Sequence, residues 1–217
     1  MLVQTTKSNE TLLVAVPAIT GGLGLTASVV STFAASDGTI FVIDALLIPP
    51  FPLSATAKYL GWTEFSQIVS AANLGDTLDS LTNHTFFIPT NKAISATLAL
   101  LANFGFVPKA NFLTTLIAAH IADSLLYFRS ITKIAQSPTP ANRIPLLVPG
   151  NSLSTRVTAD LAIELKVQAN ALFPPAKIIH GDILVQGGVV QMIDAVIIPT
   201  TASLVESFLA PFSLVKA

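Results

Sequence analysis

Three histidines and a few carboxylates are the side chains of this sequence that could do chemistry. His180-Gly181-Asp182 places two possible metal ligands close together, but His84 and His120 lie far away along the chain. Metal sites are usually built from closely spaced ligands, such as a His-Glu-x-x-His pair on a helix, and the sequence has no such pair. We therefore expect no metal site.

The sequence also lacks the motifs of the common catalytic and cofactor sites. It has no cysteine, no Gly-x-Ser-x-Gly elbow and no Gly-x-x-x-x-Gly-Lys phosphate loop. Gly22-x-Gly24-x-x-Ala27 resembles part of a dinucleotide fingerprint, but the related segment at 170–177 reads NALFPPAK, so a turn is the better interpretation. We predict a non-enzymatic protein without a cofactor.

The composition is unusually poor in charge. Charged residues make up 11% of the chain, its mean hydropathy is +0.70 and its net charge is −1. No run of Lys or Arg provides the positive surface that a nucleic-acid binder needs, so that class is excluded. The remaining surface must be built largely from uncharged groups, which suits contact with a partner.

A twelve-residue segment occurs twice in the sequence in similar form. Residues 38–49 read GTIFVIDALLIP and residues 188–199 read GVVQMIDAVIIP, with six identities in twelve positions. The likeness extends backwards from both copies with about one residue of slippage, and each copy alternates strand-like segments with Gly or Pro turns. The first copy is therefore predicted to form a β-hairpin.

The stretch 11–36 has no charged residue, so a membrane span and a cleaved signal peptide are alternatives to the hairpin. Pro17, Gly21, Gly22 and Gly24 interrupt it, which is a poor profile for a spanning helix. We favour the hairpin and expect no membrane span. Its lack of charge predicts that both of its faces are covered.

Asp44 and Asp194 occupy the same place in the two copies, after a run of apolar residues. An unpaired carboxylate in such a setting would be costly, so each is expected to accept hydrogen bonds from backbone N–H groups of a neighbouring loop. His120 ends an apolar stripe and is expected to be a buried structural histidine.

Helices are predicted between the copies and strands after them. Three stripes with i, i+3, i+4 spacing follow Thr63, Asn91 and Pro108, the first two of which are plausible N-caps. Strands are predicted at 85–88, 125–128, 144–148, 153–158, 161–168, 176–180, 183–186 and 189–198. Helices followed by strands indicate an α+β fold.

Several of these segments together resemble the fasciclin-like domain family. The segment 85–94 reads TFFIPTNKAI, residues 118–121 read AAHI, and Asp182-Ile183-Leu184 leads into 188–199. The order and spacing match the family's hallmark motifs over residues 55–199. The resemblance implies a β-wedge with helices packed beside it, and it marks Thr85, Pro89, Thr90 and Asn91 as motif residues.

The resemblance also implies a domain organisation. Residues 1–50 resemble the C-terminal half of a preceding fasciclin-like domain in a tandem repeat. We expect residues 51–54 to form a Pro-rich linker and residues 55–199 to form a complete domain. The remaining residues, 200–217, are expected to form a C-terminal tail.

Function follows from the resemblance as an expectation. Family members are commonly extracellular adhesion and matrix proteins, and His120, Asp182 and Ile183 fall where some animal members bind integrins, although Ala119 replaces the tyrosine often found there. A protein or cell-surface partner is thus expected. The alternatives are a carrier of an apolar small molecule such as a carotenoid and a structural subunit of a larger assembly.

Asn9 and Asn83 begin glycosylation sequons that matter if the protein is secreted.

Overall fold

A computed structural model of the protein describes residues 18–103, 105–167 and 174–199, and the backbone of residues 2–7 and 10–15. The predicted sequon at Asn9 and the predicted tail at 200–217 lie outside the described residues. The strands are β1 Leu2–Lys7, β2 Glu10–Ala15, β3 Ala18–Thr20, β4 Thr26–Ala34, β5 Thr39–Ile43, β6 His84–Pro89, β7 Ile121–Ala122, β8 Arg143–Pro145, β9 Ser152–Val157, β10 Ile163–Val167, β11 Ala176–Val185 and β12 Gly188–Ile193. The helices are α1 Leu53–Tyr59, α2 Thr63–Ala71, α3 Gly75–Ser80, α4 Asn91–Asn103, α5 Ala110–Ala118 and α6 Phe128–Ala135.

The predicted α+β fold is confirmed, and its centre is a seven-stranded sheet. The strands lie in the order β7-β6-β12-β11-β10-β9-β8, and the neighbours β12 and β6 run parallel with Gly188 opposite His84 and Ile193 opposite Pro89. The sheet curls until its ends meet, because Ala122 of β7 forms a bridge with Leu146, just beyond β8. Strand β12 thus lies inside the sheet, with a partner on each edge.

Each face of the sheet carries an apolar core. Phe86, Ile88 and Val190 point into one core, which they share with the buried sides of α1 to α5. Phe87 and Ile193 point into the other, with Ile131 of α6 and residues of β8 to β11. Side chains alternate between the faces of a strand, so the short run Phe86-Phe87-Ile88 joins the two cores.

The three predicted helical stripes are present as α2, α4 and α5, but the two predicted caps, Thr63 and Asn91, are wrong. Thr63 and Asn91 each begin a helix as its first residue. The Thr90 hydroxyl accepts the N–H of Ala93 in α4, and the Asn91 carboxamide oxygen accepts the N–H of Glu64 in α2 at 3.2 Å. Asn91 therefore caps a helix that precedes it by about 30 residues.

The strand predicted at 125–128 is also wrong. Residues 125–127 are not in a strand, and α6 begins at Phe128. The segments predicted at 176–180 and 183–186 are one strand, β11, interrupted by irregular pairing with β12 between Ile178 and His180 and between His180 and Ile183.

The first sequence copy folds into strands that repeat the pairing of the second. Strands β3, β4 and β5 form an antiparallel sheet, in which Val29 pairs with Ile43 as Ile178 pairs with Ile193. An irregularity follows each of these pairs, between Val29 and Ser31 in the first copy. The repeat in sequence is therefore a repeat in strand register.

The hydrogen bonds predicted for the repeated aspartates are present in both copies. The carboxylate of Asp44 accepts the N–H of Ser28 at 2.7 Å, and the carboxylate of Asp194 accepts the N–H of Lys177 at 2.6 Å. Each aspartate N–H returns a bond to the carbonyl of the same residue. The donors lie on a neighbouring strand, not on a loop, and both aspartates are exposed just beyond the end of their strand.

The described residues of the chain do not cover both faces of the first copy, so the predicted cover would have to come from elsewhere. Ala27 and Val29 are buried, but β4 from Val30 onward and most of β5 are exposed. The first copy contacts the seven-stranded sheet through Gly22, which forms a parallel bridge with Leu184 of β11. An uncharged sequence here reflects an exposed apolar surface.

Replacing either repeated aspartate should cost the same modest stability. Asp194→Ala leaves the N–H of Lys177 without its carboxylate, and because the site is exposed, water replaces part of the lost bond, so we expect a loss of about 1 kcal/mol. Asp44→Ala should act in the same way on the N–H of Ser28. Urea denaturation measures both, and an unchanged midpoint for Asp194→Ala contradicts the structural role.

Candidate functional site

Asp182 lies at an irregular point of β11 and holds the start of a helix. Its backbone has φ +60, which an aspartate tolerates better than most residues. Its carboxylate accepts the N–H of Phe128, the first residue of α6, at 2.7 Å. A carboxylate at a helix N-terminus satisfies an N–H group that has no partner within the helix and also favours the helix dipole. Asp182 therefore positions α6.

Gln191 supports this arrangement from inside the sheet. Its side chain is fully buried, its oxygen accepts the N–H of Asp182 at 3.2 Å, and its nitrogen donates to the Asp182 carboxylate at 2.8 Å and to the carbonyl of Leu126 at 3.1 Å. Nothing in the sequence pattern singled out Gln191. A polar residue inside the apolar strand 188–193 was the available signal, since buried amides need partners.

His120 is buried and is held by two hydrogen bonds. Nδ1 lies 2.7 Å from the carbonyl of Leu116, and Nε2 lies 2.9 Å from the backbone nitrogen of Ile197. The carbonyl can only accept and the amide can only donate, so Nδ1 carries the proton and Nε2 accepts. Burial lowers the pKa of His120 from 6.5 to about 4, and the bond to Leu116 opposes this shift only in part.

The three residues predicted to bind a partner differ in their access to solvent. His120 and Ile183 are 6% and 2% exposed, whereas Asp182 is half-buried. Asp182 and Ile183 are neighbours in β11, and His120 joins the end of α5 to the segment after β12. The partner-binding role remains a prediction, and direct contact by His120 or Ile183 would require local opening.

The four motif residues near β6 connect separate elements. The Thr85 hydroxyl donates to the carbonyl of Ser124 and accepts the N–H of Leu126, each at 2.7 Å. Pro89 ends β6, Thr90 caps α4, and Asn91 also donates to the carbonyl of Gly61 at 2.8 Å. This motif therefore joins β6 to the helices and to the segment before α6.

A set of four exposed apolar side chains lies at or just before the start of α6 and in β11, close along the chain to Phe128 and Asp182. We call it the Tyr127 patch, and it consists of Leu125, Tyr127, Phe128 and Ile179, which are between 36% and 53% exposed. Phe128 lies over Gly181, where an added Cβ would come within 3.3 Å of its ring. The patch was not expected from the sequence, because a strand at 125–128 would have buried every second side chain of this segment.

The cavities differ in size and in lining. A void beside His120, lined by apolar side chains of α2, α4 and α5, has a volume of about 30 Å³, which is space for one water molecule. A larger open groove of about 870 Å³ lies between α1, α2 and α3 and has a mixed lining that includes Lys58, Gln67 and Asp76. The void beside His120 is too small for a carotenoid-sized ligand.

The described part of the chain contains neither a metal-binding cluster nor a membrane-spanning helix. There, no group of three or more His, Asp or Glu side chains is placed to hold a metal ion. Within the same residues, no helix is both long and apolar enough to cross a bilayer.

The buried His120 should make stability depend on pH. Its pKa is about 4 when folded and about 6.5 when unfolded, so the stabilising contribution is complete above pH 6.5 and is lost as the pH falls towards 4. At about 1.4 kcal/mol per pKa unit, the loss approaches about 3 kcal/mol. Denaturation between pH 7 and pH 4 measures it.

His120→Gln is the matched control for this prediction. Glutamine can present an acceptor to the N–H of Ile197 but does not titrate. Carboxylates titrate in both proteins, so the difference between the two pH profiles isolates His120. Parallel profiles would contradict the neutral buried state.

Known proteins resemble this chain in sequence and in fold. The fasciclin domain model matches residues 60–199. The fasciclin-like arabinogalactan protein CTB11 of Cercospora beticola is 25% identical over 182 residues, which cover 83% of this chain and 44% of that protein. The chain thus spans less than half the length of this curated relative.

A solved structure shares the fold. It is described as "Novel Fold Revealed by the Structure of a FAS1 Domain Pair from the Insect Cell Adhesion Molecule Fasciclin I", and it superposes with a TM-score of 0.55 at 18% identity over 89% of this chain and 65% of that one. This likeness supports the α+β architecture. Since the fasciclin model covers more than half of the chain, the protein belongs to the fasciclin domain family.

Proposed function

We propose that this protein is a non-catalytic interaction module that acts outside the cell or at its surface, in adhesion or matrix assembly. The observation that carries the proposal is the Tyr127 patch, four exposed apolar side chains of a fasciclin domain, one of which, Phe128, donates its backbone N–H to the half-buried Asp182 carboxylate. Exposed apolar surface with a polar rim is typical of protein contact sites. The names of the relatives, a cell adhesion molecule and an arabinogalactan protein, agree with this role.

The patch has the chemistry of an interface centre. Tyr and Phe supply large contact areas at little cost in side-chain entropy, and aromatic residues are enriched among those that dominate binding energy. Tyr127 and Phe128 are 43% and 36% exposed, and Ile179 is 53% exposed. In this proposal they contact the partner, while Asp182 fixes their backbone and adds a polar group at the rim.

The roles of the predicted site residues are divided accordingly. His120 and Ile183 act as positioning residues, because both are buried and hold the strand and loop that support the site. Asp182 remains the candidate for direct polar contact. The apolar-carrier alternative has less support, because the apolar void beside His120 holds only about one water and the larger groove between α1, α2 and α3 is open and lined in part by charged side chains.

Tyr127→Ala should weaken attachment without unfolding the protein. The side chain is half-exposed and makes no cap to α6, so its loss removes contact area and leaves the hydrogen bonds of Asp182 in place. Cell attachment to surfaces coated with the purified protein should fall about fivefold or more, the effect expected for a residue worth at least 1 kcal/mol.

Tyr59→Ala is the matched control for this experiment. Tyr59 is the last residue of α1, is 72% exposed and stacks on Phe51. It should attach cells as the unmodified protein does. Equal attachment by all three proteins, or no attachment by any of them, overturns the proposed adhesive surface.

Asn83 allows a test of whether its predicted sequon can carry a glycan when the chain passes through a secretory pathway. It is exposed in the bend before β6. After expression in a eukaryotic secretory host, mass spectrometry should detect a glycosylated Asn83 peptide. Thr85→Ala also removes the sequon but is unsuitable as a control, because Thr85 is buried and its hydroxyl is hydrogen-bonded. Asn83→Gln is the appropriate control, and an unmodified Asn83 in secreted protein contradicts the expectation.

A further inference from the structure

Strand β5 is exposed where its repeat partner β12 is buried. The matched register places Ile40 and Phe41 at the positions of Val190 and Gln191. Ile40 and Phe41 are 55% and 50% exposed, whereas both β12 residues are fully buried. The repeated segment is therefore exposed in the first copy and buried in the second.

The second copy shows what surrounds this strand when it is covered. Strand β12 has β11 on one edge and β6, parallel, on the other, and an apolar core on each of its faces. In the first sheet, β5 pairs with β4 on one edge, and no strand of the described part pairs with the other. An open edge with apolar side chains is a template for a further strand.

The repeated glycine points to the nature of that strand. A Cβ on Gly188 would lie 1.9 Å from the carbonyl oxygen of His84, so the backbone of β6 comes too close for any side chain at this position. A Cβ on Gly38, its counterpart, would meet nothing within 4 Å. Gly38 thus keeps open the space that a strand of the β6 type would occupy.

We propose that the β5 face binds a fasciclin-type half-unit, made of a parallel strand like β6 and an apolar helical layer like α4 and α5. Residues 39–43 carry no charge, which matches the uncharged faces that cover β12. A second folded copy of this chain cannot supply the strand, because its own β6 is already paired with β12 and β7. This proposal does not depend on adhesion, since the Tyr127 patch is a different surface.

The first test supplies the half-unit in the same molecule. A copy of residues 53–150 is joined through a flexible linker to the N-terminus of the full chain, which gives the copy a high effective concentration at β5. Hydrogen exchange of the amides at 39–43 should then slow about tenfold or more relative to the unmodified chain. Gly38→Ala in the fusion should abolish this protection, because the added Cβ meets the incoming backbone.

The same substitution in the unmodified chain provides the control. Gly38→Ala has space there and should leave the denaturation midpoint unchanged, whereas Gly188→Ala should lower it because β6 is in the way. Protection at 39–43 that is equal in the fusion with and without Gly38→Ala overturns the proposal.

A second test remains informative if the fused copy does not fold. A fluorescent peptide with the sequence of residues 82–90 is titrated into the full chain, into Gly38→Ala and into Phe41→Lys, with fluorescence anisotropy as the readout. The unmodified chain should bind it about tenfold more tightly than either variant, and a peptide with Phe86→Pro should bind weakly to all three. Absence of binding, or equal binding to the three proteins, overturns the proposal.

Sedimentation distinguishes a different occupant. The chain alone should remain monomeric at micromolar concentration. A dimer that Phe41→Lys disrupts and Val107→Lys does not would assign the face to a second copy and would also overturn the proposal. Val107 is 78% exposed, between α4 and α5, and serves as the matched control for a new surface charge.

Discussion

The parallel pairing of β12 with β6 is the contact on which the rest of the structure depends. It is possible because Gly188 has no side chain, so that the backbone of His84 can pass where a Cβ would stand. Once β12 is paired on both edges, its alternating residues enter two separate cores, with Val190 in the helical core and Ile193 in the core beneath α6. A one-residue shift of this register would exchange the two sets of side chains.

The irregular point in β11, at Asp182, determines which side chains near the start of α6 are exposed. Because Asp182 and Gln191 hold the first turn of α6, Tyr127 and Phe128 are presented to solvent while Ile183 remains in the core. Of the three residues that the resemblance marks for recognition, the fold therefore buries His120 and Ile183 and leaves only Asp182 partly accessible to solvent. The first copy has no second irregularity in its pairing and no counterpart of Asp182, so it lacks this device.

The two copies also show that sequence pattern does not fix burial. Both contain the same Asp hydrogen bonds and the same strand pairing, which are local to two neighbouring strands. Their exposure differs because burial depends on what lies against the strand. Helices and β6 cover β12, whereas β5 has no such cover among the described residues.

The sequence by itself determined the repeat, the backbone hydrogen bonds of Asp44 and Asp194, the apolar stripes of α2, α4 and α5, and the α+β class. These depend on periodicity and on contacts between adjacent strands, which leave a readable pattern. Only the tertiary structure decided that Asn91 caps α2, that Asp182 starts α6 at Phe128 and that β5 is exposed. Each of these depends on groups 27 or more residues apart, or on what covers a surface, and the free energy of such contacts does not appear in local periodicity.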